Sequence, residues 1–339
     1  MLTFHDSGNI SRMHKTLTIH GANPENLYSV FSLPMPDKIL DFSTNTNILA
    51  WPKININLEE LASRYPDPDC LKLKNIVAER ENIPPSRILF TNGSNEAIFL
   101  LAGLFGEDTA ILQPAYSEYS RAFRNLHDMF TLDEAQNFKH VIIINPNNPT
   151  GKYTPLHEVM CSCPDTLFIV DEAYIDFLLN TKPERLCDID NVILLRSLTK
   201  IFHLSGARIG YVIASEKIIA ALKKRQPSWS VNAIAQELAL IFLKDRAFLQ
   251  RTIAFYREYA PRFMQAVRDS GFETIQSDVH YFLFRVDDDL RVIEHLLKAG
   301  IVVRHTRNFV GLDGKYIRIA TRQPKENNML LDVIKEVLR

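Results

Sequence analysis

Five segments carry residue types able to do chemistry, each just after a short apolar run. In Phe90-Thr91-Asn92-Gly93-Ser94-Asn95-Glu96, the glycine permits close backbone approach. Ser94 and the N–H groups at the start of the following helical stretch can hold a phosphate, although a plain Ser or Asn helix cap has the same appearance. In Pro114-Ala115-Tyr116-Ser117-Glu118-Tyr119, Tyr116 can stack on a planar ring or simply fill a core. In Asn145-Pro146-Asn147-Asn148-Pro149-Thr150-Gly151, two prolines and a glycine stiffen a loop and hold Asn148 still. In Ile169-Val170-Asp171-Glu172-Ala173-Tyr174, an acid ends an apolar strand, where burial is costly unless a positive group meets it. Last come Leu195-Arg196-Ser197-Leu198-Thr199-Lys200 and Ser205-Gly206-Ala207-Arg208-Ile209-Gly210-Tyr211. A lysine placed inside, after a buried strand, is a candidate Schiff-base nucleophile; on the surface it would do nothing of the kind.

No single segment decides, but their joint order does. A ring-stacking aromatic, a pinned Asn, an acid for a ring N–H, and a Lys with hydroxyls and an Arg nearby are what pyridoxal 5'-phosphate requires. Lys200 would form the Schiff base with the aldehyde. Asp171 would keep the pyridine nitrogen protonated, which makes the ring an electron sink. Asn148 and Tyr174 would hydrogen-bond the ring hydroxyl. The helix start at Gly93, Ser94 and Asn95, with Ser197, Thr199 and Arg208, would hold the phosphate.

The elements that must position these residues alternate. Apolar strands are predicted at 87–90, 109–112, 141–145, 167–170, 192–196 and 209–214, separated by helical runs, which implies a mostly parallel sheet with crossover helices. Tyr65-Pro66-Asp67-Pro68 forces an extended turn between two helices. A long helical stretch is expected from about Asn232 to Val267, followed by strands and helices of a smaller α+β domain. The domain reading is an irregular N-terminal arm over 1–50, packed with the small domain and the active site. A large domain over 51–228 and a small one over 229–339 follow it. Hydrophobic residues make up 46% of the chain and charged ones 23%, which excludes intrinsic disorder. A net charge of -1 offers no attraction to nucleic acid or an acidic membrane surface. No stretch has the apolar length of a signal peptide or a membrane span, so a cytoplasmic protein is expected. Met13 would also serve as a start. Cys70, Cys161, Cys163 and Cys187 form no C-x2-C pair, so reduced thiols and no metal are expected.

NPNNPTG, DEAY and SLTK with GARIGY resemble the fold-type I pyridoxal-phosphate enzymes of the aminotransferase class I/II superfamily, over the chain from about residue 18 to its end. The resemblance implies an α/β fold with a large α/β/α sandwich domain and a small α+β domain, and a homodimer with sites at the interface. It implies that Tyr65, in a segment resembling RYPDP, reaches the cofactor phosphate of the partner subunit, and that Arg318 in YIRIATR holds the substrate carboxylate. Two branches handle phosphorylated substrates: histidinol-phosphate aminotransferase and threonine-phosphate decarboxylase.

The arm favours the second branch. His20-Gly21-Ala22-Asn23 resembles its HGGN signature, with Ala22 in place of the second glycine. Asp41 to Asn47 resembles DFSANIN, though Ile48 replaces the proline that follows. Gly311 to Arg318 resembles its GLDxxYxR segment. By that resemblance His20, Asn45 and Arg304 line the substrate-phosphate pocket. The expected activity is decarboxylation of O-phospho-L-threonine, or O-phospho-L-serine, to an amino-alcohol phosphate for cobalamin-type biosynthesis. Two grips, for carboxylate and phosphate, would set the torsion that turns the carboxylate out of the ring plane. The alternatives are an aminotransferase of the histidinol-phosphate type and, more remotely, a non-catalytic cofactor-sensing module.

Overall fold

The computed structural model describes residue 17 and residues 20–337. The N-terminal stretch with Met13, and Ile19 beside the arm motif, lie outside the described residues. The chain divides into two compact units. Thr46–Glu258 with Gln276–His280 form the larger, and Met1–Asn45, Tyr259–Ile275 and Tyr281–Arg339 the smaller.

In chain order, the arm holds α1 (Pro24–Val30) and β1 (Leu40–Asp41). The larger unit begins with α2 (Leu58–Ala62), α3 (Leu71–Glu81), β2 (Ile88–Thr91), α4 (Gly93–Phe105), β3 (Thr109–Leu112), α5 (Glu118–Ala122) and β4 (Leu126–Met129). It continues with β5 (His140–Ile144), α6 (His157–Ser162), β6 (Leu167–Asp171), β7 (Val192–Ser197), α7 (Leu198–Ile201), β8 (Gly210–Ile213), α8 (Glu216–Lys223) and α9 (Ala233–Lys244). α10 (Arg246–Asp269) is followed by β9 (Tyr281–Arg285), α11 (Asp289–Lys298), β10 (Ile301–Val302), β11 (Arg304–His305), β12 (Tyr316–Ala320) and α12 (Pro324–Val337).

The large sheet has the order β2-β8-β7-β6-β5-β3-β4. β8 runs antiparallel to both its neighbours, and every other pair that has been registered is parallel. β2, β3, β5, β6 and β7 therefore end at one edge of the sheet, and each is followed there by one of the five chemical segments. Their apolar side chains, such as Ile111, Ile142, Ile169 and Ile193, are fully buried, as in a sheet covered on both faces. The edge strand β4 was not expected from the sequence. Its His127 and Asp128 are exposed, and edge strands are commonly polar.

The long helical stretch after Asn232 breaks at Asp245, whose carboxylate accepts the Phe248 N–H at 2.8 Å and so caps α10. α9 packs on α2 and α3 and belongs to the larger unit. The division between the units thus falls within α10, not near residue 228. Helical periodicity is the same in both units, so it carries no sign of which core a helix joins.

In the smaller unit β9, β12 and β11 form an antiparallel sheet, and β1 pairs in parallel with β10. The arm is thus more regular than expected. After β1, the Phe42 carbonyl accepts the Ala320 N–H at 3.0 Å. Phe42, Phe282, Phe284, Ile293, Leu296, Ile317 and Leu330 form its core.

Candidate active site

In the larger unit the chemical segments converge at the sheet edge. α4 starts at Gly93, which has φ +70, and a Cβ there would lie 2.7 Å from Arg208 Nη2. Only glycine lets the guanidinium lie against this backbone. A Cβ on Gly210 would come within 3.0 Å of the Ser94 nitrogen, so the two loops touch backbone to backbone. Arg208 itself has φ +60, a left-handed conformation that a non-glycine residue adopts only when its surroundings enforce it. The Ser197 and Thr199 hydroxyls are buried and 2.7 Å apart. With the backbone N–H groups at the α4 start, which a helix leaves without intrahelical partners, these donors form a cluster suited to a phosphate. The Asn95 amide bridges Tyr116 Oη and Glu118 Oε2, each at 3.5 Å, and so steadies the half-buried Tyr116.

Asn148 is buried in its loop. The prolines do not pin it alone, because the flanking asparagines do much of the work. Asn145 exchanges two hydrogen bonds with the Thr154 backbone at 2.8 and 2.9 Å. Asn147 donates to the Pro114 carbonyl at 2.9 Å and accepts from the Thr150 hydroxyl at 2.8 Å.

Asp171 is 4% exposed at the end of β6. Its Oδ1 accepts the Ala173 N–H and its Oδ2 the Tyr119 hydroxyl, both at 3.0 Å. Burial pushes its pKa above the ordinary carboxylate value, against these two donors and the Lys200 charge. Neutral donors, rather than a cation in direct contact, thus meet the acid. The adjacent buried Glu172 has its own cation, Arg196, at 2.6 Å. Lys200 Nζ stands 5.9 Å from the centroid of the buried Tyr174 ring.

Two further residues were not singled out from the sequence. Tyr119, three positions after Tyr116, is fully buried against Asp171. Asn47, also fully buried, ties down the short helix that carries Lys200. Its N–H donates to the Lys200 carbonyl and its Nδ2 to the Ile201 carbonyl, both at 2.9 Å, satisfying carbonyls that a helix end leaves open. Nδ2 also reaches Thr252 Oγ1 at 2.9 Å. A polar Asn next to an arm reads as a turn residue, and only the tertiary contact reveals its role.

Tyr65 is 79% exposed and its ring lies 4.7 Å from that of Trp229.

In the smaller unit, Arg304 and Arg318 are direct partners across β11 and β12 and both are buried. Arg304 Nη2 donates to Asn308 Oδ1 and Arg318 Nη2 to the Ser43 carbonyl, each at 2.6 Å. The arm closes on them. A Cβ on Gly21 would lie 2.9 Å from the Ser43 carbonyl and 3.4 Å from Arg304 Cδ, and Ala22 N donates to Ser43 Oγ at 3.0 Å. Ser43 and Thr44 in turn donate to Asp41 at 2.6 Å. Asn45 is 3% exposed, and both polar atoms of its amide are buried without a hydrogen-bond partner among the described residues. The half-buried His20 directly precedes Gly21.

A family model for aminotransferase class I and II matches residues 39–334. The chain belongs to this family. Threonine-phosphate decarboxylase of Salmonella typhimurium is 32% identical over 351 aligned positions, covering 94% of this chain and 96% of that protein. Among solved structures, L-threonine-O-3-phosphate decarboxylase from Porphyromonas gingivalis superposes with a TM-score of 0.78 at 26% identity, over 88% of this chain and 99% of that one. Histidinol-phosphate aminotransferase from Clostridium acetobutylicum does so with 0.81 at 27% identity, over 88% and 99%. The fold is that of the fold-type I enzymes, and pyridoxal phosphate is the cofactor. The donors at the sheet edge fit it: a hydroxyl and guanidinium cluster for the phosphate, a buried carboxylate for the ring nitrogen, and a lysine for the aldehyde. Among the described residues, no group of three or more His, Cys, Asp or Glu could hold a metal ion, and no helix is long and apolar enough to cross a membrane.

Proposed function

We propose that this enzyme decarboxylates a phosphorylated amino acid, O-phospho-L-threonine or O-phospho-L-serine, releasing carbon dioxide and an amino-alcohol phosphate. The observation that carries this reading is the buried pair Arg304 and Arg318, directly opposite on neighbouring strands. Two guanidinium groups so placed can each give a fork of donors to one of the two anionic groups of a single ligand. Such an amino acid carries a carboxylate and a phosphate at once, whereas histidinol phosphate carries a phosphate and no carboxylate. In the reading, Arg318 holds the carboxylate, and Arg304, His20 and Asn45 hold the phosphate. The Asn45 amide has both a donor and an acceptor to give.

Bound pyridoxal phosphate supplies a sink for the electron pair left at Cα when a bond there breaks. Lys200 holds the cofactor and returns a proton to Cα. Asp171 holds the ring N–H, Tyr116 covers the ring face, and Asn148 and Tyr174 fix the ring hydroxyl. Ser94, Ser197, Thr199 and Arg208 hold the cofactor phosphate. Exposed Tyr65 fits a role in a second copy of the chain, so a homodimer belongs to the reading.

The test is product analysis with O-phospho-L-threonine and O-phospho-L-serine, with and without 2-oxoglutarate. Carbon dioxide and an amino-alcohol phosphate formed without the keto acid are expected. Glutamate and transamination products in place of carbon dioxide would make the enzyme an aminotransferase that uses its two arginines for different substrates in turn. The preferred phospho-amino acid reports on one methyl group, worth roughly 1–3 kcal/mol.

A further inference from the structure

We infer that Tyr119 is a positioning residue for the cofactor's ring nitrogen: its hydroxyl, donated to Asp171 Oδ2 at 3.0 Å, holds that carboxylate as an anion and so leaves the shared proton on the nitrogen. The inference rests on Asp171 facing the ring nitrogen and holds for either reaction. One proton has two bases to choose from, the carboxylate and the pyridine nitrogen. Whatever stabilises the carboxylate sends the proton to the nitrogen. Three groups bear on the acid: the Ala173 N–H on Oδ1, the Tyr119 hydroxyl on Oδ2, and the Lys200 charge. Burial works against all three, so the loss of one donor is felt strongly.

Tyr119 is built for constancy. It is fully buried on α5, beside Phe123, with ring centroids 6.4 Å apart. Burial and the neighbouring Asp171 charge raise its own pKa well above the ordinary phenol value, so it remains a donor at all physiological pH values. Tyr116 stands three residues earlier, just before α5. A single segment thus serves the ring face through Tyr116 and the ring nitrogen, at one remove, through Tyr119. A core tyrosine whose hydroxyl merely needs a partner would share the burial but would leave the nitrogen unaffected.

The experiment uses the full chain loaded with pyridoxal phosphate carrying 15N in the ring, read by NMR. In Tyr119→Phe, which keeps the ring and removes the donor, the nitrogen signal is expected to move toward the unprotonated position. The absorbance of lysine-bound cofactor should persist and cofactor affinity fall about tenfold, as for a lost hydrogen bond to a charged group. Asp171→Asn should move the signal further. An unmoved signal in Tyr119→Phe beside a moved one in Asp171→Asn overturns the role of Tyr119 alone. An unmoved signal in both removes Asp171 from the ring nitrogen and the inference with it. Site-specific 3-fluorotyrosine at position 119, a stronger donor of nearly the same size, should keep the signal at the protonated position. Movement toward the unprotonated position there also counts against the inference.

Discussion

In the larger unit a buried acid, Asp171, is met by two donors at 3.0 Å, whereas in the smaller unit two buried cations stand opposite each other on adjacent strands. The candidate cofactor cradle is held by its own neighbours. Asn145, Asn147 and Asn47 close hydrogen bonds onto the loops and the helix end that present Asn148 and Lys200. The arginine pair is held differently. The hydrogen bonds from Arg304 and Arg318 to Asn308 and Ser43 end on neutral oxygens, and the nearby Asn45 amide is buried unsatisfied among the described residues. A site that binds a resident cofactor can be fully braced in advance. One that must take up and release an anion on every turnover needs groups that can exchange partners as the anion comes and goes.

The strongest way to break this contrast is to disable one region and watch the other. Lys200→Ala should lower turnover on the order of 10⁴-fold or more, because a nucleophile that works with its surroundings as a unit is lost. The absorbance of lysine-bound cofactor should vanish, while thermal protection by inorganic phosphate persists. A surviving band would sink the assignment of Lys200. Arg304→Ala should reverse the pattern. Cofactor affinity stays as it was, and kcat/KM for phosphorylated substrates falls roughly 10²-fold or more, the cost of leaving a bound charge without its partner. The unphosphorylated amino acid should lose little. Equal losses for both substrates would remove Arg304 from the phosphate grip.

The same contrast explains what the sequence made visible. The candidate cradle residues sit in contiguous segments after apolar strands, and a parallel sheet brings strand ends to one edge, so Ser94, Tyr116, Asn148, Asp171 and Lys200 could be singled out as candidates before the fold was known. Their braces could not. Asn47 reaches Ile201 and Thr252, far along the chain, and Tyr119 looks like any core aromatic. The arginine pair depends on a two-residue ladder, β11 on β12, whose register nothing local specifies. Only the likeness of the HGAN and DFSTN segments to a known branch pointed to Arg304, His20 and Asn45. The unit boundary was misplaced for a related reason: α9 carries the helical period of both cores.

A smaller effect sharpens the comparison through pH. Burial raises the Asp171 pKa in the folded chain above its unfolded value. Its contribution to stability is therefore fully present below the unfolded value, about 4, and is lost as pH rises through the folded one. Without cofactor, the neutral Asp171→Asn should be more stable than the parent at pH 7, with the advantage gone near pH 4. Denaturant unfolding across that range checks it. With cofactor bound, the order should invert. An advantage that does not change with pH would mean that the carboxylate charge is not its source.

The smallest effect concerns Ala22, which occupies the second glycine position of the arm motif. Its φ is +60, and its side chain is exposed, so the methyl group crowds nothing and the cost lies in the backbone alone. A left-handed alanine is disfavoured by roughly 1–2 kcal/mol, but a glycine there also frees the unfolded chain by roughly 0.5–1 kcal/mol. The two terms nearly cancel, so Ala22→Gly should change stability by less than about 1 kcal/mol, in the stabilising direction. Ala22→Val meets the same space with a β-branched side chain that tolerates this φ worse, and should destabilise clearly. The hydrogen bond from Ala22 N to Ser43 Oγ at 3.0 Å uses only the backbone, so both variants can keep it. If the arm is preformed around the arginine pair, Ala22→Gly leaves KM for the phosphorylated substrate unchanged. A raised KM with unchanged stability would instead mean that the alanine restricts the arm for binding, and that this region, too, is braced in advance.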